Sequence, residues 1–238
     1  MKIGGFQPLT LSDYPGRVAA IVFTQGCNFR CPFCHNGSLL PLDVPADAML
    51  EEATVLETLK SRRTFLDGVV ISGGEPTIQP DLVAFIDSIK QLGLLVKLDT
   101  NGTHPDVVRD LLAGRLLDYV AMDIKAPPVK YAQLTGVDTP IERIEETVRL
   151  LIAGDTPCEF RTTFVPGLLT TEDLETIRAS LPDEATYTIQ PFVPGNALDA
   201  SLRSQKNHSL PNVGTPISMN ETESTDHIPH HIDWLSGE

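Results

Sequence analysis

Basic residues are scarce in this chain. Its 238 residues carry 18 Lys and Arg against 32 Asp and Glu, a formal net charge of −14. Nucleic-acid backbones and anionic membranes are held by clustered Lys and Arg, so the balance excludes both as partners. No apolar run approaches the roughly 20 residues needed to span a bilayer. The opening MKIGGFQPLTLSDYPG lacks the basic-then-apolar pattern of a secretory signal. There is no G-x-x-x-x-G-K loop and no H-E-x-x-H pair, which removes nucleotide-hydrolysing and zinc-peptidase chemistry. A soluble cytoplasmic protein is expected. With 41% hydrophobic residues the chain can bury most of its surface, as one large or two small domains.

Cysteine is sparse too, with four in all, but unevenly placed. Cys27, Cys31 and Cys34 cluster, and Cys158 stands alone. A reducing cytosol keeps thiols out of disulfides, so the cluster reads as metal-binding. Cys158 falls in an apolar strand, where an inert buried thiol is expected.

An extended piece over 3–16 ends in the turn SDYPGR. After it, strand patterns at 17–24, 68–72, 94–99, 118–125, 158–165 and 185–192 alternate with helical patterns at about 47–63, 80–92, 105–113, 140–153 and 171–180. Six such units predict an α/β fold with a parallel sheet. Side chains alternate across a strand, and here one face of each strand is apolar. The other turns charged toward the C-terminal end, through Lys97, Asp99, Asp123, Lys125 and Arg161. A flat doubly wound sheet would bury these charges under helices at several kcal/mol each unless paired. In a barrel they point into the C-terminal mouth, where such folds keep their active sites. Six units predict a partial (βα)6 barrel over residues 1–198. The polar segment 199–238, which holds the single Trp, reads as a tail, and its His227, His230 and His231 as incidental.

The segment TQGCNFRCPFCHN follows the first strand of the alternation. Its C-x3-C-x2-C spacing supplies three thiolates and leaves one coordination position open, whereas a closed zinc site takes four ligands. His35 could be a fourth, though adjacency to Cys34 makes the geometry awkward. A [4Fe–4S] cluster on three cysteines likewise leaves one iron open, and spacing alone admits either centre. Ser72-Gly73-Gly74-Glu75-Pro76 ends the next strand. Two glycines permit a sharp turn and close approach to a ligand, and Glu75 could accept a hydrogen bond from an ammonium.

Together these motifs resemble the signatures of the radical S-adenosylmethionine superfamily. LSDYPGR, CHN after the cysteines, LDTNG (98–102) and MDIK (122–125) narrow the resemblance, over about residues 1–196, to the glycyl-radical-enzyme activases. The short form is implied, without a cysteine-rich ferredoxin insert, and the most similar branch activates anaerobic ribonucleoside-triphosphate reductase. The resemblance implies that Cys27, Cys31 and Cys34 hold a [4Fe–4S] cluster whose fourth iron is chelated by S-adenosylmethionine. It places Phe33 and His35 along the adenosyl group and Gly73, Gly74 and Glu75 at the methionine end. Asp99, Asp123, Lys125 and Arg161 become further cofactor contacts, and Asp99, Thr100 and Asp123 a monovalent-cation subsite. Val193 stands where a relative has a cofactor-contacting His.

The implied activity is reductive cleavage of the cofactor, with an electron from flavodoxin or ferredoxin, to a 5′-deoxyadenosyl radical that takes a hydrogen from a backbone glycine of a partner enzyme. One rival keeps this chemistry on a small molecule, as in deazapurine biosynthesis; another activates a pyruvate formate-lyase-like enzyme. A third is a zinc-stabilised binding module, which would not need the inward charges.

Overall fold

The computed structural model describes residues 1–205, 210 and 211. Seven strands, β1 (Ile3–Thr10), β2 (Ala19–Thr24), β3 (Gly68–Gly73), β4 (Leu95–Thr100), β5 (Tyr119–Asp123), β6 (Cys158–Phe164) and β7 (Tyr187–Pro191), form one sheet in strictly sequential order. β1 pairs antiparallel with β2, and every later pair is parallel. The helices are α1 (Glu52–Arg62), α2 (Leu82–Gln91), α3 (Pro105–Ala113), α4 (Tyr131–Thr135), α5 (Ile141–Ala153) and α6 (Thr171–Ala179).

Sequential order decides the shape. Right-handed crossovers that always step the same way put every crossover helix on one face of the sheet. That face carries the main core, in which Val22, Ile71, Leu98, Met122 and Phe160 meet Phe85, Ile86, Leu111 and Ile144. The opposite face curls inward. Among the described residues β1 and β7 do not pair, so the structure is the open, partial (βα)6 barrel expected.

In-register pairing builds the concave face as rows. Ile21, Val70, Lys97 and Tyr119 form the lower row, while Asp123, Arg161 and Thr188 form an upper one. A small apolar cluster of Tyr14, Ala19, Ile21 and Val70 plugs the bottom, with the Tyr14 and Tyr119 rings 6.0 Å apart. At the mouth the inward side chains of the upper row are polar.

Three local features differ from the sequence expectation. The opening piece is a full strand, with Leu50 bridging to its first residue. The first crossover helix starts at Glu52, because Ala46–Ala48 forms a separate 3-10 turn. The five-residue α4 is too short to show periodicity, although Pro127-Pro128 and Gly136 (φ +70°) bracket it.

After β7 the chain returns to the cysteine loop, where Leu198 N–H donates to Cys34 O (3.0 Å) and Asp199 N–H to Pro32 O (2.8 Å). A 3-10 turn over Ala200–Ser204 buries Leu202. His227, His230 and His231 lie outside the described residues.

Tyr14 fills the barrel floor at 4% exposure. Tyr14→Ala should cost about 3 kcal/mol through the void it leaves, read as a lowered urea midpoint with unchanged slope.

Candidate active site

The chain leaves β2 into the cysteine loop over a sharp bend at Gly26 (φ +100°). The loop is pinned by backbone hydrogen bonds: Gly26 N–H to Leu39 O (2.7 Å), Cys27 N–H to Leu40 O (3.2 Å) and Cys34 N–H to Cys31 O (3.1 Å). From outside, α4 holds it through Arg30 N–H to Thr135 O (2.7 Å). A Cβ at Gly136 would stand 2.6 Å from Arg30 O, so only glycine allows this approach. The Arg30 guanidinium folds back to donate to Cys27 O and Phe29 O, each at 2.7 Å.

All three clustered thiols border one cavity of about 260 Å³ at the C-terminal mouth. Cys27 and Cys31 are buried and Cys34 partly so. Burial pushes the Cys27 thiol up to about 12 and Cys31 to about 11, and raises Cys34 as well. Metal ligation needs thiolates, so a bound metal would displace these protons.

The Gly73-Gly74 turn packs directly on the start of this loop. Gly74 N–H donates to Thr24 O and Glu75 N–H to Gly26 O, both at 2.9 Å. A Cβ on Gly74 would fall 2.0 Å from Gly26 O, and one on Gly73 2.3 Å from Thr24 N. The glycines thus make the cysteine loop and the turn a single packed unit.

Glu75 is 1% exposed, and its carboxylate takes four donors from within the chain. Oε1 accepts from Thr77 N–H (3.1 Å), the Thr77 hydroxyl (2.5 Å) and the Thr100 hydroxyl (2.7 Å), while Oε2 accepts from Asn101 N–H (2.7 Å). Burial raises its pKa, with the four hydrogen bonds pulling the other way. Beyond it, Asn101 Nδ2 donates to Asn28 Oδ1 (2.9 Å), which carries the link across to the cysteine loop.

The inward charges form one chain. Lys97 Nζ meets Asp99 Oδ1 (2.5 Å), and Asp99 Oδ2 faces the Arg161 guanidinium (3.4 Å). Arg161 Nε donates to Asp123 Oδ1 (2.9 Å), and Lys125 Nζ to Asp123 Oδ2 (2.9 Å). Burial works against ionising Asp123, but Arg161 and then Lys125 outweigh it and hold the carboxyl well below its ordinary value. Likewise Asp123 outweighs burial and raises Lys125 and Arg161.

The cavity gathers the cysteines, Phe33, His35, Gly73, Gly74, Glu75, Asp99, Thr100, Asp123 and Lys125. Arg161 stands behind Asp99 and Asp123 rather than on the wall. Glu75, read as a possible acceptor for an ammonium, borders the cavity while four donors from its own loops hold its carboxylate. The Thr100 hydroxyl donates to Glu75, and Asp99 and Asp123 already face protein cations, so the suggested cation subsite would compete for committed groups. Phe33 is buried, and the His35 ring stacks on Phe192 at 5.8 Å. Cys158 lies apart, its thiol 3.8 Å from Leu151 O.

Ser72, Asn101, Thr163 and Gln190 also line the cavity, although the sequence motifs assigned none of them a site role. Thr163 and Gln190 were readable, because they continue the inward alternation of Arg161 and pair in register. A second depression, on the outer side of α1, is lined by Glu57, Lys60, Ser61, Arg63 and Thr64 and shares none of these groups.

Glu75→Gln should turn an amide against the Asn101 N–H and cost about 2 kcal/mol, with faster hydrogen exchange at Asn101. Asp123→Asn leaves two partly buried cations short of a partner and should cost about 3 kcal/mol at pH 7. Because the folded pKa of Asp123 is depressed, its contribution is present above the ordinary aspartate value of roughly 4 and drains away below it. Urea titrations of wild type and D123N should therefore converge as pH falls from about 4 to 2; a gap independent of pH would contradict the charge account.

The Radical SAM superfamily model matches residues 21–180. A Methanocaldococcus jannaschii protein provisionally named a glycyl-radical enzyme activating enzyme is 37% identical over 207 residues, 84% of each chain. A Thermococcus kodakarensis protein named as a GTP 3′,8-cyclase is 32% identical over 152 residues, 62% of this chain and 48% of its own. In fold, the chain is similar to Streptococcus suis SuiB bound to precursor peptide SuiA (TM-score 0.59, 15% identity), covering 74% of this chain and 40% of that one. The chain thus spans less than half of the cyclase and of SuiB, but most of the Methanocaldococcus relative. With cysteine loop, glycine turn and inward charges at one barrel mouth, and the superfamily model running from β2 to the end of α6, the chain belongs to the radical S-adenosylmethionine superfamily, whose enzymes use a [4Fe–4S] cluster and S-adenosylmethionine.

Proposed function

We propose that this enzyme is a glycyl-radical enzyme activating enzyme, acting on a backbone glycine of anaerobic ribonucleoside-triphosphate reductase with flavodoxin or ferredoxin as electron donor. The observation that supports the activase part of this reading is the match to the Methanocaldococcus relative along 84% of both chains; the choice of reductase and donor rests on the motif resemblance alone.

The donor set fits the family's cluster. Three cysteines border one cavity, and a cluster on three cysteines leaves one iron open to it, whereas a closed zinc site takes four ligands. A cube distributes its thiolates over separate irons, whereas zinc draws its ligands to one point. When bound, the cluster and S-adenosylmethionine supply one-electron cleavage of a C–S bond and hydrogen-atom abstraction. The chain's share is orientation and exclusion of water. Cys27, Cys31 and Cys34 hold the cluster. Gly74, whose N–H is given to Thr24 O, would meet the cofactor ammonium through its backbone. Lys125, steadied by Asp123 and Arg161, would contact the cofactor, and Phe33 and His35 would lie along its adenosyl group. Val193 has no polar side chain to offer, whereas Gln190 reaches the cavity.

The cyclase-like reading is disfavoured by charge. A nucleoside triphosphate needs uncommitted cations, and the one Lys on the cavity wall among the described residues, Lys125, is paired with Asp123. The Thr163 and Gln190 wall offers neutral hydrogen-bonding groups, suited to a peptide backbone.

Anaerobically reconstituted protein should bind about four irons and give, once reduced, a paramagnetic resonance signal that changes shape with S-adenosylmethionine. Each of C27A, C31A and C34A should lose that response, and mixing with the reductase should produce a glycyl radical. Zinc in place of iron, or a signal indifferent to the cofactor, would sink the mechanism; consumption of GTP would favour the cyclase.

A further inference from the structure

One side chain beside the cavity has a role that hydrogen-bond accounting exposes. Thr103 N–H, a donor by necessity, points at Asn101 Oδ1 (3.0 Å), so the Asn101 amide nitrogen is the group facing Asn28 Oδ1. The Asn28 amide nitrogen then donates to Thr103 Oγ1 (2.8 Å). The Thr103 hydroxyl gives its one hydrogen to Asn101 Oδ1 (2.7 Å), and the Thr77 hydroxyl gives its own to Glu75 (2.5 Å). Both oxygens are left with lone pairs only. Both face the same ring atom: His104 Nδ1 lies 2.9 Å from Thr103 Oγ1 and 3.2 Å from Thr77 Oγ1.

We infer that His104 is a positioning residue, a neutral Nδ1–H imidazole whose one hydrogen is shared between Thr77 and Thr103. It thereby ties the Gly-Gly-Glu turn to the 100–104 loop and, through Asn28, to the cysteine loop. The part of this inference that concerns cofactor binding rests on the reading of the cavity given above.

The surroundings agree. His104 is partly buried at the entry to α3, and its carbonyl accepts Val108 N–H (3.2 Å). Burial and then the charge of Arg143 lower its pKa, with Asp106 opposing, which favours the neutral ring. From the other side α5 grips the same loop, through Arg143 Nε to Thr103 O (2.8 Å) and the Thr147 hydroxyl to Gly102 O (2.7 Å). The backbone is thus held from outside, and His104 orients the hydroxyls within.

Nitrogen-15 spectra of histidine-labelled, cluster-loaded protein at pH 7 should show His104 protonated at Nδ1. An Nε2–H tautomer overturns the inference, because Nδ1 could then donate to neither threonine. Two variants test the consequence. His104→Asn places an amide donor near the Nδ1 position and His104→Ala removes it. H104A should bind S-adenosylmethionine about tenfold more weakly with unchanged iron content, and H104N should stay within about threefold of wild type. Exchange of the Asn101–Thr103 amides should quicken in H104A and be restored in H104N. Equal affinity in H104A and wild type, or equal loss in both variants, overturns the positioning role. Should wild type itself fail to bind the cofactor, the cofactor reading falls, while tautomer and amide exchange still decide the fate of His104.

Discussion

A single buried carboxylate organises the mouth of this barrel. Glu75 has no ion-pair partner among the described residues, so its charge is held by hydrogen bonds alone. Taking a carboxylate out of water costs several kcal/mol, and only a full set of donors offsets it. Those donors come from the turn after β3 and from the end of β4, so satisfying Glu75 forces two loops into contact. Asn101 carries the constraint on to Asn28, next to the first cysteine. Three loops far apart in sequence therefore share one electrostatic requirement.

The other half of the mouth treats buried charge differently. Along β4, β5 and β6, cations and carboxylates alternate from Lys97 to Lys125, each neutralising its neighbours. A chain of this kind is stiff, because moving one member exposes the next. It leaves Lys125 as the member on the cavity wall, held in place by partners that do not all reach the cavity. The two halves thus present complementary surfaces: a hydrogen-bonded side with thiols and glycines, and an ion-paired side with one lysine at its edge.

Much of this was legible from the sequence, for identifiable reasons. Alternation alone put Asp99, Asp123 and Arg161 on the inner face, because a period of two survives whatever the sheet's curvature. The six-unit count gave the partial barrel, since each unit carries its own helix and strand pattern. What stayed hidden depended on partners distant in sequence. Nothing near Glu75 reveals that Thr100 and Asn101, 25 and 26 residues away, would claim its oxygens. The turn α4 escaped because five residues carry no period, yet it anchors Arg30. Gln190 lies within β7, where alternation carries it to the cavity, whereas Val193 lies beyond the strand, where no period applies.

The strictly sequential strand order sets a timetable for synthesis. Every strand pairs with the one made just before it, so the sheet can grow unit by unit as the chain leaves the ribosome. The cysteine loop emerges early, but the residues that fix it, Gly74, Asn101 and Thr135, come roughly 45 to 110 residues later. Until then the three thiols belong to a loop without its supports. Iron delivered to the nascent chain would meet loose ligands; iron delivered after α4 has docked would meet a finished cradle.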